Sequence, residues 1–507
     1  MKTAYTKSLK FGAMLLGLAV MPMQVVASDN GKKSADPFQY PMEGIYRSNP
    51  LFVDFPSPMF ETDSIGTMYT ADASAHVWSD GRLYLYASHD IEPSWGCDRM
   101  DRYHVFSTDD MVHWTDHGEI LNSDDVKREL GWGIPGWMWA PDCAYNPADS
   151  TYYFYFPHPA QAYPWGGHEW RVGVATSKSP VGGFKPIGYV EGTPSLIDPT
   201  VFVDDDGQPY IYIGGGGGGG CQAAKLCKDD WTRLDGEMKR MEGLVDFHEA
   251  AWVHKYNGRY YLTHSDNHGS DGNQMRYAVS DSPLGPWKDM GVYIYATGCG
   301  TIHGSIVQYK NKWYAVYHSA LRSDRDELRS VCIDELKYNP DGTIQVVQNW
   351  GKAFKKPVKV NRNTNAEILA ERFNRGGEGR AYHKLYGAQP MKKGPRKGEL
   401  VVVEKDATGT HVAEMTAREW LRYSVDVEES ARCQVNLYVR PQTDSIACHL
   451  SADGTAITMK LGARGDVGQW KVFTVSGVDI PKGTNYLDFR VDHGTLDFDA
   501  ITIQPLK

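Results

Sequence analysis

The chain lacks any apolar run long enough to cross a bilayer as a helix, so no membrane insertion is expected. Its one apolar stretch, FGAMLLGLAVM at 11–21, falls short of that length. It follows Lys2, Lys7 and Lys10 and precedes small residues near Ala27 and Ser28, so residues 1–27 read as a secretory signal peptide. No cysteine stands near that cut to carry a lipid, which points to a periplasmic or secreted protein. Positive charge is also in deficit. There are 53 Lys and Arg against 63 Asp and Glu, a net charge of −10, and signal removal takes away lysines but no acid. This balance disfavours nucleic acid and anionic membrane surfaces and suits a neutral, hydroxyl-rich ligand.

Cysteine is sparse: eight residues scattered from 97 to 448, without zinc-ligand spacing. In an oxidising compartment Cys433 and Cys448 could bridge one hairpin; buried free thiols are the equal alternative. Helical periodicity is nearly missing. With 52 Gly, 30 Tyr and 15 Trp, the composition implies an all-β protein of many short strands, and 507 residues imply two or three domains.

What the chain does have is a repeat. Five times an ionisable residue precedes, by 11 or 12 positions, a tyrosine in a turn-plus-aromatic strand: Asp72 and Tyr84, Asp142 and Tyr153, Asp198 and Tyr210, Glu249 and Tyr261, His303 and Tyr314. Asp80-Gly81, Asp206-Gly207 and Asn257-Gly258 supply turn chemistry for three of these hairpins. A further short strand and an aromatic follow each of the first four, as in YHVFSTDDMVHW (103–114) and MRYAVSDSPLGPW (275–287). Units recurring every roughly 50–70 residues predict a radial array, a five-bladed β-propeller in which the innermost strand of each blade lines one axis. The five polar residues are then expected to converge. An ordinary β-sandwich is the plainer alternative, but it leaves the fixed offset unexplained.

Three of these residues are acids suited to glycosidic bond hydrolysis. Such hydrolysis needs one carboxyl to protonate the leaving oxygen and another to activate water, and a third nearby can keep the donor protonated. Asp72, Asp198 and Glu249 fit that division, the longer side chain suiting the proton donor. The duller explanations are a turn-forming Asp and a surface Glu; matching positions in three blades weigh against them. The seven-glycine run at 214–220 is either a loose loop or backbone passing close to a ligand.

The strings ADASAHVWSDGRLYLYASHD (71–90), WAPDCAYNP (139–147), LIDPTVFVDDDGQPYIY (196–212), HEAAWVHKYNGRYYL (248–262) and GTIHGSIVQYKNKWYAVYH (300–318) resemble glycoside hydrolase family 43. The resemblance runs in order through roughly 61–350 and implies a five-bladed propeller that inverts anomeric configuration. It makes Asp72 the general base, Asp198 the residue that tunes the acid and orients substrate, and Glu249 the general acid. Inversion implies base and acid roughly 6.5–9.5 Å apart. The resemblance also implies that His303 sits on the axis beside a cation such as calcium or a water, a core histidine being the alternative, and that Arg329 contacts the sugar, a surface salt bridge being the rival. Trp139 would wall the sugar site, or else be core. The family gives Asp142 no settled role. Ala73 stands where the family commonly has proline, and HEAAW departs from the usual EGPW or EAPW; neither touches a carboxylate.

After a basic stretch at 351–365, read as a linker, the repeat stops. Evenly spaced strands over 366–507 predict one β-sandwich, jelly-roll-like. AERFNRGGEGRAYH (370–383), REWLRYSVDV (418–427) and LDFDAITI (496–503) resemble carbohydrate-binding module family 6. That resemblance implies a structural calcium held by Glu371 and Asp499 and a sugar-gripping pair in Tyr382 and Trp470. Lys384 stands where an acid is frequent, which leaves open two roles for the module, binding sugar or only bracing the propeller.

The expected organisation is a signal at 1–27, a catalytic propeller at 28–350, a linker at 351–365 and a sandwich at 366–507. The expected activity is exo-acting hydrolysis of plant polysaccharide or oligosaccharide, releasing α-L-arabinofuranose or β-D-xylose. The rivals are an endo-acting arabinanase or xylanase, decided by loops such as 91–102 and 160–170, and a non-catalytic sugar-binding propeller. Keeping all three carboxylates argues against the last.

Overall fold

The computed structural model describes residues 41–46, 49–52, 68–91, 97–164, 166–215, 219–267, 272–323, 325–385, 390–407 and 409–506. The signal at 1–27 lies outside them, as do parts of the loops 91–102 and 160–170. Apart from one short helix, Ser123–Leu130, and two single turns of 3-10 helix, the described chain folds as β-strands.

Five small antiparallel sheets follow one another, one for each predicted unit. Their inner strands are Thr70–Val77, Asp142–Asn146, Thr200–Val203, Glu249–Tyr256 and Gly304–Tyr309. Each pairs with the tyrosine-bearing strand after it, so that Tyr84, Tyr153, Tyr210, Tyr261 and Tyr314 lie opposite His76, Ala144, Phe202, His254 and Val307. Asn257 and Gly258 both take positive φ, 48° and 75°, which a two-residue turn needs to match the twist of its strands. The tyrosines also hold blade to blade. Tyr86 donates its hydroxyl to Pro180 O at 2.8 Å, Tyr155 to Trp231 O at 2.9 Å, Tyr212 to Pro283 O at 2.6 Å and Tyr261 to Gly342 O at 2.7 Å. Each acceptor belongs to the next blade, so a buried phenol fills the inter-blade space and satisfies its polar tip in one step.

The fifth sheet has only three strands, Gly304–Tyr309, Lys312–Ser319 and Ser330–Leu336. The N-terminal segment serves both ends of the ring. Met42–Ile45 pairs with the outermost strand of the first sheet, His113–Asn122. A few residues later, Leu51 N donates to Val331 O at 2.8 Å, and Asn49 exchanges hydrogen bonds with the backbone of Ile333. Ser305 Oγ donates to Ala73 O at 2.8 Å and joins the fifth inner strand to the first.

Beyond residue 350 two larger sheets face each other. One is built on Trp420–Val427, Tyr486–His493 and Ser445–Ala452, the other on Thr410–Thr416, Thr495–Pro505, Ala431–Pro441 and Lys471–Ile480. Between them Phe489 and Phe498 stack at 3.6 Å in a core of Val, Ile and Leu. Alternation along these strands sends one face inward, the pattern that makes a sandwich. The stretch read as a linker contributes to this body: Val358–Val360 pairs in parallel with Val425, Asp426 and Val427. Cys433 and Cys448 are both free and buried. Propeller and sandwich form one compact unit, Tyr40–Lys507.

Candidate active site

The inner strands begin around a cavity of about 300 Å³, into which Asp72, Asp198, Glu249, His303, Arg329 and Trp139 all open. Local backbone explains the convergence. Asp72 and Asp198 both sit at φ 54° and Ala250 at φ 65°, a left-handed turn at the strand start, and the ladder slips between Ala71 and Ser74 and between Glu249 and Trp252. Such bulges re-aim a side chain that a regular strand would direct elsewhere. Asp142 has no positive φ and stays in a regular ladder. Its carboxylate turns instead to His76 Nε2 at 2.7 Å, Thr200 Oγ1 at 2.9 Å and Val201 N at 2.7 Å. The expected convergence of five polar residues is therefore corrected to four.

Asp72 is buried, and burial alone would raise its pKa. Arg329 first, then His318, His303 and the Ser88 hydroxyl, together outweigh it and hold the carboxyl below its ordinary value. Arg329 grips it with two bonds, Nη1 to Oδ1 at 2.9 Å and Nη2 to Oδ2 at 3.2 Å. The other side of the guanidinium is held by Asp90, at 3.0 Å from Nε and 2.9 Å from Nη2. Arg329 was expected to contact sugar; it lines the cavity, and beyond the two aspartates its Nη1 also donates to Thr301 Oγ1 at 3.3 Å. His318 fixes the Asp72 backbone: its Nε2 lies 3.0 Å from Thr301 O, and its Nδ1 accepts from Asp72 N at 3.1 Å. Asp90 and His318 escaped the sequence reading, although both close tyrosine-rich strands, in ASHD and VYH, and both are fully buried.

Asp198 and Glu249 behave in the opposite way. Burial lifts the Asp198 pKa well above the usual carboxylate value, and Glu249 and Asp72 lift it further; Ala250 N donates to its Oδ2 at 3.1 Å. Burial also raises Glu249, to about 7, with Asp72 adding to the rise and His248, at 3.7 Å, opposing it. His303 Nδ1 is 3.7 Å from Asp198 Oδ2, and burial lowers its pKa to about 4, so the ring is neutral at pH 7. Trp139 is half-buried, its Nε1 donating to Cys97 O at 2.8 Å and its ring stacked on Trp170 at 4.5 Å. One cavity thus holds an ionised carboxylate, a carboxyl that keeps a proton near neutrality, and an aromatic wall.

One glycine of the run packs against two residues that line this cavity. At Gly215, with φ 105°, a Cβ would lie 2.8 Å from Glu249 Cβ and 3.1 Å from Ile197 Cγ1. At Gly215 it is protein packing against Glu249 and Ile197 that leaves no room for a side chain.

In the sandwich, Tyr382 is 3% exposed, accepts a hydrogen bond from Leu400 N at 3.1 Å and packs edge-on to Phe373. The expectation that Tyr382 grips sugar is corrected by that burial. Trp470 is half-buried, with the Arg440 guanidinium over its ring at 4.8 Å. Lys384 is ion-paired with buried Glu419, whose other oxygen accepts from Leu385 N at 3.1 Å. Glu371 and Asp499 lie near one another; burial first, then Asp499, raises the Glu371 pKa, and Glu371 Oε2 is buried without a hydrogen-bond partner. Among the described residues no group of three or more His, Cys, Asp or Glu could hold a metal ion. At Glu371, Asp499 or His303, a cation would therefore need backbone or water oxygens as well.

The family model for glycosyl hydrolases family 43 matches residues 62–344. A xylosidase/arabinosidase of Bacteroides ovatus is 33% identical over 328 residues, which is 55% of this chain and 95% of that protein. Xylosidase/arabinosidase 43A of Humicola insolens is 36% identical over 335 residues, 55% of this chain and 97% of its own. Among solved structures, a family 43 β-xylosidase/α-arabinofuranosidase from a compost metagenome, in complex with xylotriose, superposes with a TM-score of 0.51. It is 33% identical and covers 60% of this chain and 98% of its own.

Proposed function

The chain belongs to glycosyl hydrolases family 43, and from that membership we propose that it is an exported, inverting, exo-acting glycosidase of hemicellulose, releasing α-L-arabinofuranosyl or β-D-xylosyl units. The observation that carries this reading is the electrostatic split in the pocket, with Asp72 held ionised by Arg329 and Glu249 raised to about 7. Asp72 accepts a proton from water as its oxygen attacks the anomeric carbon, while Glu249 gives its proton to the departing glycosidic oxygen. Asp198, beside Glu249, keeps that proton in place at neutral pH and orients the sugar. Trp139 offers a face to the sugar's C–H groups. The choice of sugars is supported by relatives named xylosidase/arabinosidase and, in Bacillus subtilis, arabinoxylan arabinofuranohydrolase.

A screen of aryl α-L-arabinofuranoside, β-D-xyloside and β-D-galactoside, with NMR of the first-formed anomer, tests the reading. Turnover of one of the first two with inversion is expected. Asp72→Ala and Glu249→Ala should each abolish it without lowering the melting temperature much. Near-normal turnover by either variant, or a retained anomer, would overturn the assignment.

The sandwich is read as a module of carbohydrate-binding family 6 type that braces the propeller, with the Lys384–Glu419 ion pair where an acid is frequent in that family. Calcium is proposed for Glu371 and Asp499, where it would neutralise two carboxyls that burial disfavours, Glu371 further by the charge of Asp499 and Asp499 by those of Glu367 and Asp406. A chelator should then lower the melting temperature and added calcium restore it; a melt indifferent to both would remove the ion from this account.

A further inference from the structure

We propose that the far mouth of the propeller axis is a second carbohydrate-binding site, separate from the catalytic pocket. The proposal goes beyond the hydrolase reading and takes from it only that the ligand is a neutral polysaccharide. Each contributing inner strand starts at the catalytic cavity and ends at another, of about 760 Å³. Asp72 opens into the first and Trp78 into the second; they stand six positions apart along the chain, at most about 20 Å at the usual rise. At the floor of the second, His76 Nε2 and Thr200 Oγ1 both bond to the carboxylate of Asp142.

All five blades bring an aromatic ring to this second cavity: Trp78, Tyr145, Phe202, His254 and Trp313. Trp78 and Trp313 are only half-buried. Each is nevertheless braced, Trp78 stacked on His76 at 4.8 Å and in edge contact with Tyr152, Trp313 against His254 at 5.4 Å and Tyr256 at 5.6 Å. Rings fixed in this way, each keeping some surface open to solvent, form platforms whose ordering cost folding has already met.

The charged groups at the mouth are held in ion pairs, one lysine serving two carboxylates. His76 meets Asp142, and Lys255 meets Asp204 and Asp205, both at 2.7 Å. Burial lowers the His254 pKa to about 3, so that ring is uncharged. The exposed Gln308 amide and Ser79 hydroxyl remain as neutral donors and acceptors. Aromatic faces beside neutral hydrogen-bonding groups are what the C–H faces and hydroxyls of a sugar chain require.

The test uses the full chain carrying Glu249→Gln, titrated calorimetrically with soluble arabinoxylan. Adding Trp313→Ala, or separately Gln308→Arg to fill the mouth, should weaken affinity roughly five-fold, the loss of one good stacking contact. With Glu249 intact, the same two substitutions should leave kcat/KM on an aryl glycoside unchanged. Unaltered arabinoxylan affinity in both variants would overturn the proposal, as would a parallel fall in aryl glycoside turnover. Should Trp313→Ala melt early, Gln308→Arg decides, because its position is exposed. The two readings fail separately: aryl glycoside turnover judges the hydrolase, and polysaccharide affinity judges the second site.

Discussion

At the scale of single residues, the site depends on how one arginine is shared. Asp90 and Asp72 divide the Arg329 guanidinium, so the base stays ionised although it is buried. The proposed mechanism needs Asp72 deprotonated and Glu249 protonated. Activity should therefore fall on the acid side only below the ordinary carboxylate range, and on the alkaline side as pH rises through about 7, where Glu249 loses its proton. Arg329→Lys keeps the charge but loses the two-pronged grip, so the acid limb of kcat/KM should move up by about one pH unit while the alkaline limb stays. A pH profile on an aryl glycoside reads both limbs, and an unmoved acid limb would detach Arg329 from the tuning of Asp72. The three acids were legible in the sequence because they recur at a fixed offset from a hairpin. Asp90 and His318 were not, because their signal is a position at the end of a strand, and only folding sets those ends beside Arg329 and Asp72.

At the scale of elements, what separates Asp72 and Asp198 from Asp142 is backbone rather than residue type. The offset to the tyrosine strand is nearly the same for all three, but only the first two enter their strands through a left-handed residue. Sequence spacing registers the blade, and the bulge that turns a side chain toward the axis leaves almost no trace in composition. The glycine run acts at the same level. It follows Pro209–Ile213, the second strand of the third blade, and at Gly215 crosses the side chain of Glu249, the first residue of the fourth. Gly215→Ala places a methyl group against Glu249 and forces a positive φ on alanine. The acid should be displaced by a fraction of an ångström, and kcat should fall about 10–100-fold with KM little changed. Steady-state kinetics with the melting temperature held in view would check this; unchanged kcat would show that Glu249 does not depend on that backbone.

At the scale of the molecule, propeller and sandwich meet around one half-buried carboxylate. Asp334 in the fifth blade takes Asn49 Nδ2 at 2.9 Å, the Tyr317 hydroxyl at 2.8 Å and, from the sandwich, Arg380 at 2.8 Å. Trp350 lies against Tyr486, and Arg418 donates to Ser323 O in the segment that leads to Arg329. Arg380→Ala leaves Asp334 short of its charged partner and should cost about 2–3 kcal/mol, seen as a lowered melting temperature with substrate preference unaltered. A melt within error of the parent would mean that the contact is ornamental. The sandwich as a fold was legible from its evenly spaced strands. Its attachment was not, because Val358–Val360 sits in a basic stretch with too few apolar residues to announce a strand. The arm that begins on the first blade and ends on the fifth has one more consequence. Residues 42–52 leave the ribosome before either sheet they complete, and one of those sheets is the last of the ring. Until residue 336 has been made, the segment at 49–52 has no edge to join, so a ribosome-bound fragment ending in the fourth blade should remain an open crescent, readily cut by protease.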